Sequence, residues 1–277
     1  MDVFAAFIAP ALAGVFVGVM SGLLGVGGGT IMVPIFRLAF GMSPLASTAT
    51  SLFAIIPTSI SGVVAHARAK TCVPKLGLAL GVGGAVMSPM GVWLASVSPG
   101  WLVICVAAIV IGFSAFKMFK KAVKCAPTPR AGRAGGNVQA ASAKVVPDQP
   151  HLSRKQYLQG ACIGLIAGLA SGYVGVGGGF IMVPLMLAVL DIPMSLASGT
   201  SLIAITILAI PGVIEQGLLG NIEYLAGIAI VVGSIPGALV GARLVRVVPE
   251  RQLRFIFGGF LLVAAVMLML NEFGILG

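Results

Sequence analysis

The residues in this chain whose type and spacing could do chemistry are mostly glycines. Gly25, Gly27, Gly28 and Gly29 lie in the stretch SGLLGVGGGTIMVPIF, from Ser21 to Phe36. The same pattern returns as SGYVGVGGGFIMVPLM, from Ser171 to Met186, and brings Gly175, Gly177, Gly178 and Gly179. Three consecutive glycines are poor helix formers, so each cluster should break one helix and let another begin just after it, near Thr30 in the first copy. A helix start presents backbone N–H groups that have no intrahelical partner, together with a partial positive charge, and both suit a negative ligand. The candidate binding residues are therefore Gly27, Gly28, Gly29 and Thr30, with Gly177, Gly178 and Gly179 in the second copy. Thr50, Ser51, Thr200 and Ser201 follow the clusters at matching distances. Their hydroxyls could donate to ligand oxygens, or bond the carbonyls of their own helices as Ser and Thr do in apolar segments.

Two other readings of the glycines compete with anion binding. Gly25-Val26-Gly27-Gly28-Gly29 shares its spacing with a dinucleotide-binding turn, but that turn needs a preceding strand and a soluble βαβ unit. Close helix packing is the other reading, since small residues at three- or four-residue spacing let helices approach. Gly18, Gly22 and Gly25 fit it whatever else holds. Gly18 is read as packing alone, so alanine there should disturb transport less than valine at Gly28 or Gly178. Pro34 and Pro184 shape the short helices rather than touch a ligand.

The elements that carry these clusters are membrane helices. Of the 277 residues, 58% are hydrophobic and only 9% are charged, against about a quarter charged in a soluble domain. Apolar runs at Val3–Leu24, Ser51–Ala67, Leu76–Val97, Trp101–Phe116, Tyr157–Val174, Leu196–Ile214, Ile222–Leu244 and Phe255–Leu270 approach or exceed the roughly 18–20 residues that cross a bilayer. Asp2 is the only early charge, so the first run lacks the basic start of a signal peptide. The fold class is an all-α polytopic membrane protein.

The chain is also duplicated. Gly25 pairs with Gly175, Pro34 with Pro184, Thr50-Ser51-Leu52 with Thr200-Ser201-Leu202, Gly62-Val63 with Gly212-Val213 and Pro99 with Pro249, all at one constant offset without gaps. Residues 1–120 form a first transmembrane repeat, 121–155 a basic linker and 156–277 a second repeat. Each repeat holds about four spanning helices and one short, glycine-broken half-helix. Thr30–Phe40 reaches only about 16 Å at ~1.5 Å per residue.

Charge sets the orientation. The loop HARAKTCVPK carries Arg68, Lys70 and Lys75, whereas its counterpart EQGLLGNIEY carries Glu215 and Glu223 and no base. The bias reverses at the next loop, where SVSPGW is uncharged and the counterpart holds Arg243, Arg246, Arg251 and Arg254. By the positive-inside rule, matching loops then lie on opposite sides, as in an inverted repeat. The linker would be cytoplasmic and both termini outside, with Arg37 the one exception. The net charge of +10 is concentrated around the linker, from Lys117 to Lys155. Beside so many spans it reads as a cytoplasmic loop and not as a nucleic-acid surface. Paired breaks in inverted halves point to a transporter's central site. The spans lack an acidic cation site, since Asp191, Glu215, Glu223 and Glu250 fall near their ends.

Metal, cofactor and enzyme readings lack support. Cys72, Cys105, Cys125 and Cys162 show no metal-ligand spacing, and His66 and His151 are placed at membrane boundaries. No clustered acid, base and nucleophile appears within the spans.

The duplicated motif, the TATSL and GTSL that follow it, and GALVGARLVRVVPERQLRFIFGGFLL near the end resemble the sulfite exporter TauE/SafE family. The likeness covers the chain outside the linker. It implies a plasma-membrane permease, generally bacterial, for sulfur-containing anions such as sulfite and organosulfonates; the function expected is export of such an anion by alternating access, the alternatives being a permease for another small organic anion or a non-transporting membrane subunit. It places the family's motif on Gly25, Gly27, Gly28, Gly29 and Pro34, and on Gly175, Gly177, Gly178, Gly179 and Pro184. The implied partners are a small sulfur-containing anion and the lipid bilayer, with a homodimer left open. The long linker is less typical of the family.

Overall fold

The computed structural model describes residues 8–124, 153–174 and 177–272. The sequence reading of the linker falls almost wholly outside these residues. In chain order the first half contains α1 (Ala9–Leu24), α2 (Gly29–Phe40), α3 (Pro44–Arg68), α4 (Pro74–Val97) and α5 (Gly100–Lys124). The second contains α6 (Arg154–Val174), α7 (Gly179–Leu185, continued by a π-helical turn at Met186–Leu190), α8 (Met194–Leu218), α9 (Tyr224–Leu244) and α10 (Glu250–Glu272). No strand occurs among the described residues. Five helices, α3, α4, α6, α8 and α9, are long and apolar enough to cross a membrane. The protein is an all-α, multi-pass membrane protein.

Local chemistry sets the boundaries. α3 begins before its apolar run because Ser43 caps it, its hydroxyl accepting the Ala46 N–H at 3.2 Å. Pro44 then supplies a first-turn residue with no N–H to satisfy. α2 stops at Gly41, which takes the left-handed conformation at φ 62°. The matching stop after the π turn is Asp191, at φ 49°, a residue type that tolerates this region better than most.

Glycine seams join helices from different halves. A Cβ added to Gly14, Gly18 or Gly22 of α1 would collide with the carbonyl oxygens of Ile230, Ser234 and Ala238 on α9, and Gly233, Gly237 and Gly241 return the contact against Ala11, Val15 and Val19. The order of these pairs makes α1 and α9 parallel. α6 lies on α4 in the same manner, with Gly164, Gly168 and Gly172 against the carbonyls of Leu80, Gly84 and Ser88. Without side chains between them, the backbones approach closely enough for dispersion contacts along the whole seam. Gly18 is a packing glycine, as its spacing implied, and its missing Cβ is what lets α9 approach.

The remaining cross-half pairs run antiparallel. Gly62 faces Leu202 while Gly212 faces Leu52, so α3 and α8 cross in opposite senses. α5 and α10 do likewise, with Phe119 against Phe255 at 6.0 Å between ring centroids and Gly258 near Ala115. The half-helices plug the space between these layers. Met32 and Phe36 of α2 and Phe180 and Met182 of α7 are fully buried, while Leu78, Val82, Val86 and Trp93 of α4 are exposed. An apolar outer surface is what a bilayer requires.

Candidate functional site

The first break opens where α1 ends. Gly25 turns left-handed at φ 72°, its N–H donating to the Ser21 carbonyl at 2.8 Å. Gly27 and Gly28 follow at φ 80° and 85°, a region in which an L side chain is strained. Gly28 then caps α2, its carbonyl accepting the N–H groups of Ile31 and Met32 at 3.1 and 3.0 Å. The N–H groups of Gly29 and Thr30 have no acceptor among the described residues. The second copy repeats the design. Gly177 and Gly178 lie at φ 86° and 67°, and Gly178 accepts from Ile181 and Met182 at 3.1 and 3.0 Å. There the Gly179 N–H folds back onto the Gly177 carbonyl at 2.8 Å.

The two breaks meet at the centre of the bundle. A Cβ on Gly27 would lie 2.9 Å from Ile205 Cγ2, and one on Gly177 would lie 2.9 Å from Ile55 Cδ1. Ile55 of α3 and Ile205 of α8 are equivalent residues, and each touches both turns. A Cβ on Gly179 would stand 2.6 Å from the Gly25 carbonyl oxygen. Every residue from Ser21 to Thr30 is buried, so this conformation is closed around the breaks.

The hydroxyls expected at the site divide. Ser201 faces the first break, its Oγ donating to the Gly25 carbonyl at 2.6 Å and lying 2.8 Å from the Ser198 carbonyl. Ser51, its equivalent on α3, is fully buried. Thr200 is occupied elsewhere, accepting the Val73 N–H at 3.0 Å just before α4. Thr50 accepts the Glu223 N–H at 3.0 Å just before α9. These two threonines hold loops of the opposite half. Thr30 Oγ1 is buried with no hydrogen-bond partner among the described residues.

Two residues missed by the sequence reading belong beside the breaks. Ser21 and Ser171 are equivalents, and both hydroxyls are buried without a partner among the described residues. Their Cβ atoms lie 3.6 and 3.3 Å from where a side chain on Gly28 and Gly178 would begin. Their signal was the duplication itself, since each opens its copy of the motif. A buried hydroxyl left unpaired is costly, which makes the pair notable in a core this apolar.

No fixed charge adjoins the breaks. Among the described residues the buried side chains of His, Lys, Arg, Asp or Glu are His66 and Arg254, and Arg254 pairs with Glu250 at 2.6 Å. No cluster of described His, Cys, Asp and Glu could hold a metal. A groove of about 560 Å³ between α4, α5, α6 and α7 is lined by Leu94, Val106, Phe113, Tyr173, Ile181 and Pro184 among others. Its walls are apolar and offer an anion little.

The profile of the sulfite exporter TauE/SafE family matches residues 10–268. The chain belongs to this family. Among its curated relatives, the TauE/SafE chain is 26% identical over 248 residues to "Probable membrane transporter protein YunE" of Bacillus subtilis, covering 87% of this chain and 89% of that one. It is 28% identical over 238 residues to "Probable membrane transporter protein YdhB" of the same organism, covering 86% and 89%. A shorter match, 34% over 111 residues, joins it to "Sulfite exporter TauE/SafE family protein 3" of Arabidopsis thaliana, covering 38% of this chain and 23% of that protein. No solved structure matches the chain at a significant level. This TauE/SafE protein is thus a membrane transporter.

His66, expected near a membrane boundary, stands in the last turn of α3 and is fully buried. The α3–α4 connection folds back over it, and α1 and α8 close around the ring. His151 lies outside the described residues.

Proposed function

We propose that this transporter carries sulfite or a small organosulfonate across the plasma membrane, in the export direction, by alternating access. The anion would sit between the paired breaks, held by the N–H groups of Gly27–Thr30 and Gly177–Gly179, with the hydroxyls of Ser21, Ser171, Ser51 and Ser201 around it. The observation that carries this reading is the meeting of two left-handed glycine turns across Ile55 and Ile205, with the Gly29 and Thr30 N–H groups unpaired and no carboxylate beside them among the described residues. An anion leaving water needs its hydration replaced. Oriented N–H groups and the positive end of α2 replace it without a buried countercharge, so release stays possible.

Residues 1–120 and 156–277 act here as inverted repeats, with the linker 121–155 cytoplasmic and both termini outside. The antiparallel crossing of the equivalent helices α3 and α8 supports this arrangement, as does the reversed charge of matching loops. A second copy of the chain is left open as a partner.

The test is counterflow in proteoliposomes. Labelled sulfite and a labelled small sulfonate should exchange in a saturable manner, and organic cations should not compete. Exchange of a carboxylate or phosphate alone would keep the mechanism and discard the substrate. Carriage of a cation would sink the reading altogether.

A further inference from the structure

We propose that His66 is a proton-binding site whose occupancy strengthens anion binding at the first glycine break. The inference uses the anion site described above, and its test separates the two. His66 Nε2 lies 2.9 Å from the Gly22 carbonyl oxygen, and Nδ1 lies 2.7 Å from Thr71 Oγ1. A carbonyl only accepts, so Nε2 carries a hydrogen and Nδ1 of the neutral ring accepts from the Thr71 hydroxyl. When a proton arrives, an N–H bond forms at Nδ1 and donates to Thr71 Oγ1. The Thr71 hydroxyl then turns its own hydrogen to the His66 carbonyl, 3.3 Å away. Both protonation states are thus hydrogen-bonded with no heavy atom displaced, and release reverses the same steps.

The second half indicates that this device is more than a structural turn. At the equivalent positions stand Gln216 and Asn221, with the Asn221 amide donating to Gln216 Oε1 at 2.8 Å. The backbone turn is the same, since Thr71 N–H bonds the His66 carbonyl at 3.0 Å and Asn221 N–H bonds the Gln216 carbonyl at 3.1 Å. A neutral amide pair therefore suffices to hold this turn. The imidazole adds a group that can gain charge within a helix otherwise free of buried charge, the usual mark of function in a membrane span.

The charges around His66 say what stabilises the protonated form. α1 carries no ionisable residue from Ala9 to Leu24, and on α8 the one charge, Glu215, is at the opposite end of the helix from Gly199, which faces the ring. The α3–α4 connection contributes Arg68, Lys70, Cys72 and Lys75. At the start of α8, Glu250 is already committed to Arg254 and to the Met194 N–H at 3.2 Å. Beyond α1, α9 ends in the cation Arg243. Among the described residues no uncommitted carboxylate faces the imidazolium. The charge that would balance it is the transported anion, at a break that opens three residues after Gly22. Binding of proton and anion then reinforces each other, and the linkage is reciprocal.

Two measurements test this. In a His151→Gln background, nitrogen NMR on labelled histidine reports His66 alone. Nδ1 should take up a proton as the pH is lowered from about 8 to about 4. A ring that stays neutral throughout overturns the proposal, whatever the substrate. In proteoliposomes, methanesulfonate, whose charge is constant over this range, should exchange about five-fold or more faster at the acid end. His66→Gln, alone and with Thr71→Asn, copies the second half and should keep exchange while losing that pH dependence. An unchanged pH profile in a folded His66→Gln protein also overturns it. Absence of methanesulfonate and sulfite exchange from wild type discards the substrate reading and leaves the titration to decide the proton site.

Discussion

Replacing Gly18 by alanine adds one methyl group at the centre of the α1–α9 seam. Its Cβ would collide with the Ser234 carbonyl oxygen and lie 2.8 Å from the Ala238 nitrogen. Both are backbone atoms of a packed helix, so no rotamer change relieves the contact. The helices must separate locally, and the neighbouring contacts at Gly14, Gly22, Gly233, Gly237 and Gly241 loosen together. Overpacking of this kind costs about 1–3 kcal/mol, with backbone-on-backbone collisions at the upper end. At roughly 2–4 °C per kcal/mol for a chain of this size, about 3 kcal/mol lowers the melting temperature in detergent by roughly 6–12 °C. Gly112→Ala is the control, because nothing lies within 4 Å of its added Cβ and alanine favours helix. Thermal unfolding of the two purified variants, read by intrinsic fluorescence and size-exclusion recovery, gives the comparison. If Gly18→Ala melts with the wild type, close backbone approach is not what holds α1 to α9.

Gly28→Val should abolish sulfonate exchange while protein still reaches the membrane, because the position is left-handed and the new side chain begins 2.8 Å from Val17 Cγ1; membrane fractionation beside flux separates loss of function from loss of protein. Ser201→Ala removes the donor to the Gly25 carbonyl, a net ~1 kcal/mol for such a bond, so exchange should slow several-fold while the melting temperature falls by only roughly 2–4 °C. Cys72, left as the single cysteine, sits in the α3–α4 connection, where burial pushes its thiol pKa up. Less thiolate is present at neutral pH, so maleimide should modify it slowly, and faster as pH rises; a rate matching the exposed Cys162 would contradict its burial. Cysteines introduced at 130–145 should resist an impermeant reagent in intact cells, and strong labelling there would reverse the proposed orientation.

The architecture was legible because both of its signals are long. Apolar runs mark helices whatever they pack against, and a gap-free duplication marks equivalent elements. The broken helices were legible for the same reason, since Gly27–Gly29 and Gly177–Gly179 needed only glycine's conformational freedom to be recognised. Neighbouring hydroxyls were not separable by sequence. Thr200 and Ser201 are adjacent in α8, but one turns to the Val73 amide and the other to the Gly25 carbonyl. Only the placement of elements from the other half decides between them. The burial of His66 was not legible, because sequence distance from a helix end does not report burial when a loop folds back over it. The partner of Gly18 was not legible, because spacing reveals a small residue, while the carbonyl opposite it belongs to α9.

The seams also constrain the alternating access proposed above. α1 is bound to α9 and α6 to α4, so each pair takes one helix from either sequence half. Rocking one half rigidly against the other would have to open both seams together, exposing backbone carbonyls now covered by glycine. The antiparallel contacts of α3 with α8 are made differently, through side chains such as Leu52 and Leu202 that have rotamers available. Ile55 and Ile205 lie on these two helices, against both glycine turns. Relative movement of α3 and α8 would therefore displace the isoleucines from the breaks while each seam stayed closed. In this fold the bodies suited to move are the cross-half pairs, and the surface between them passes through the site.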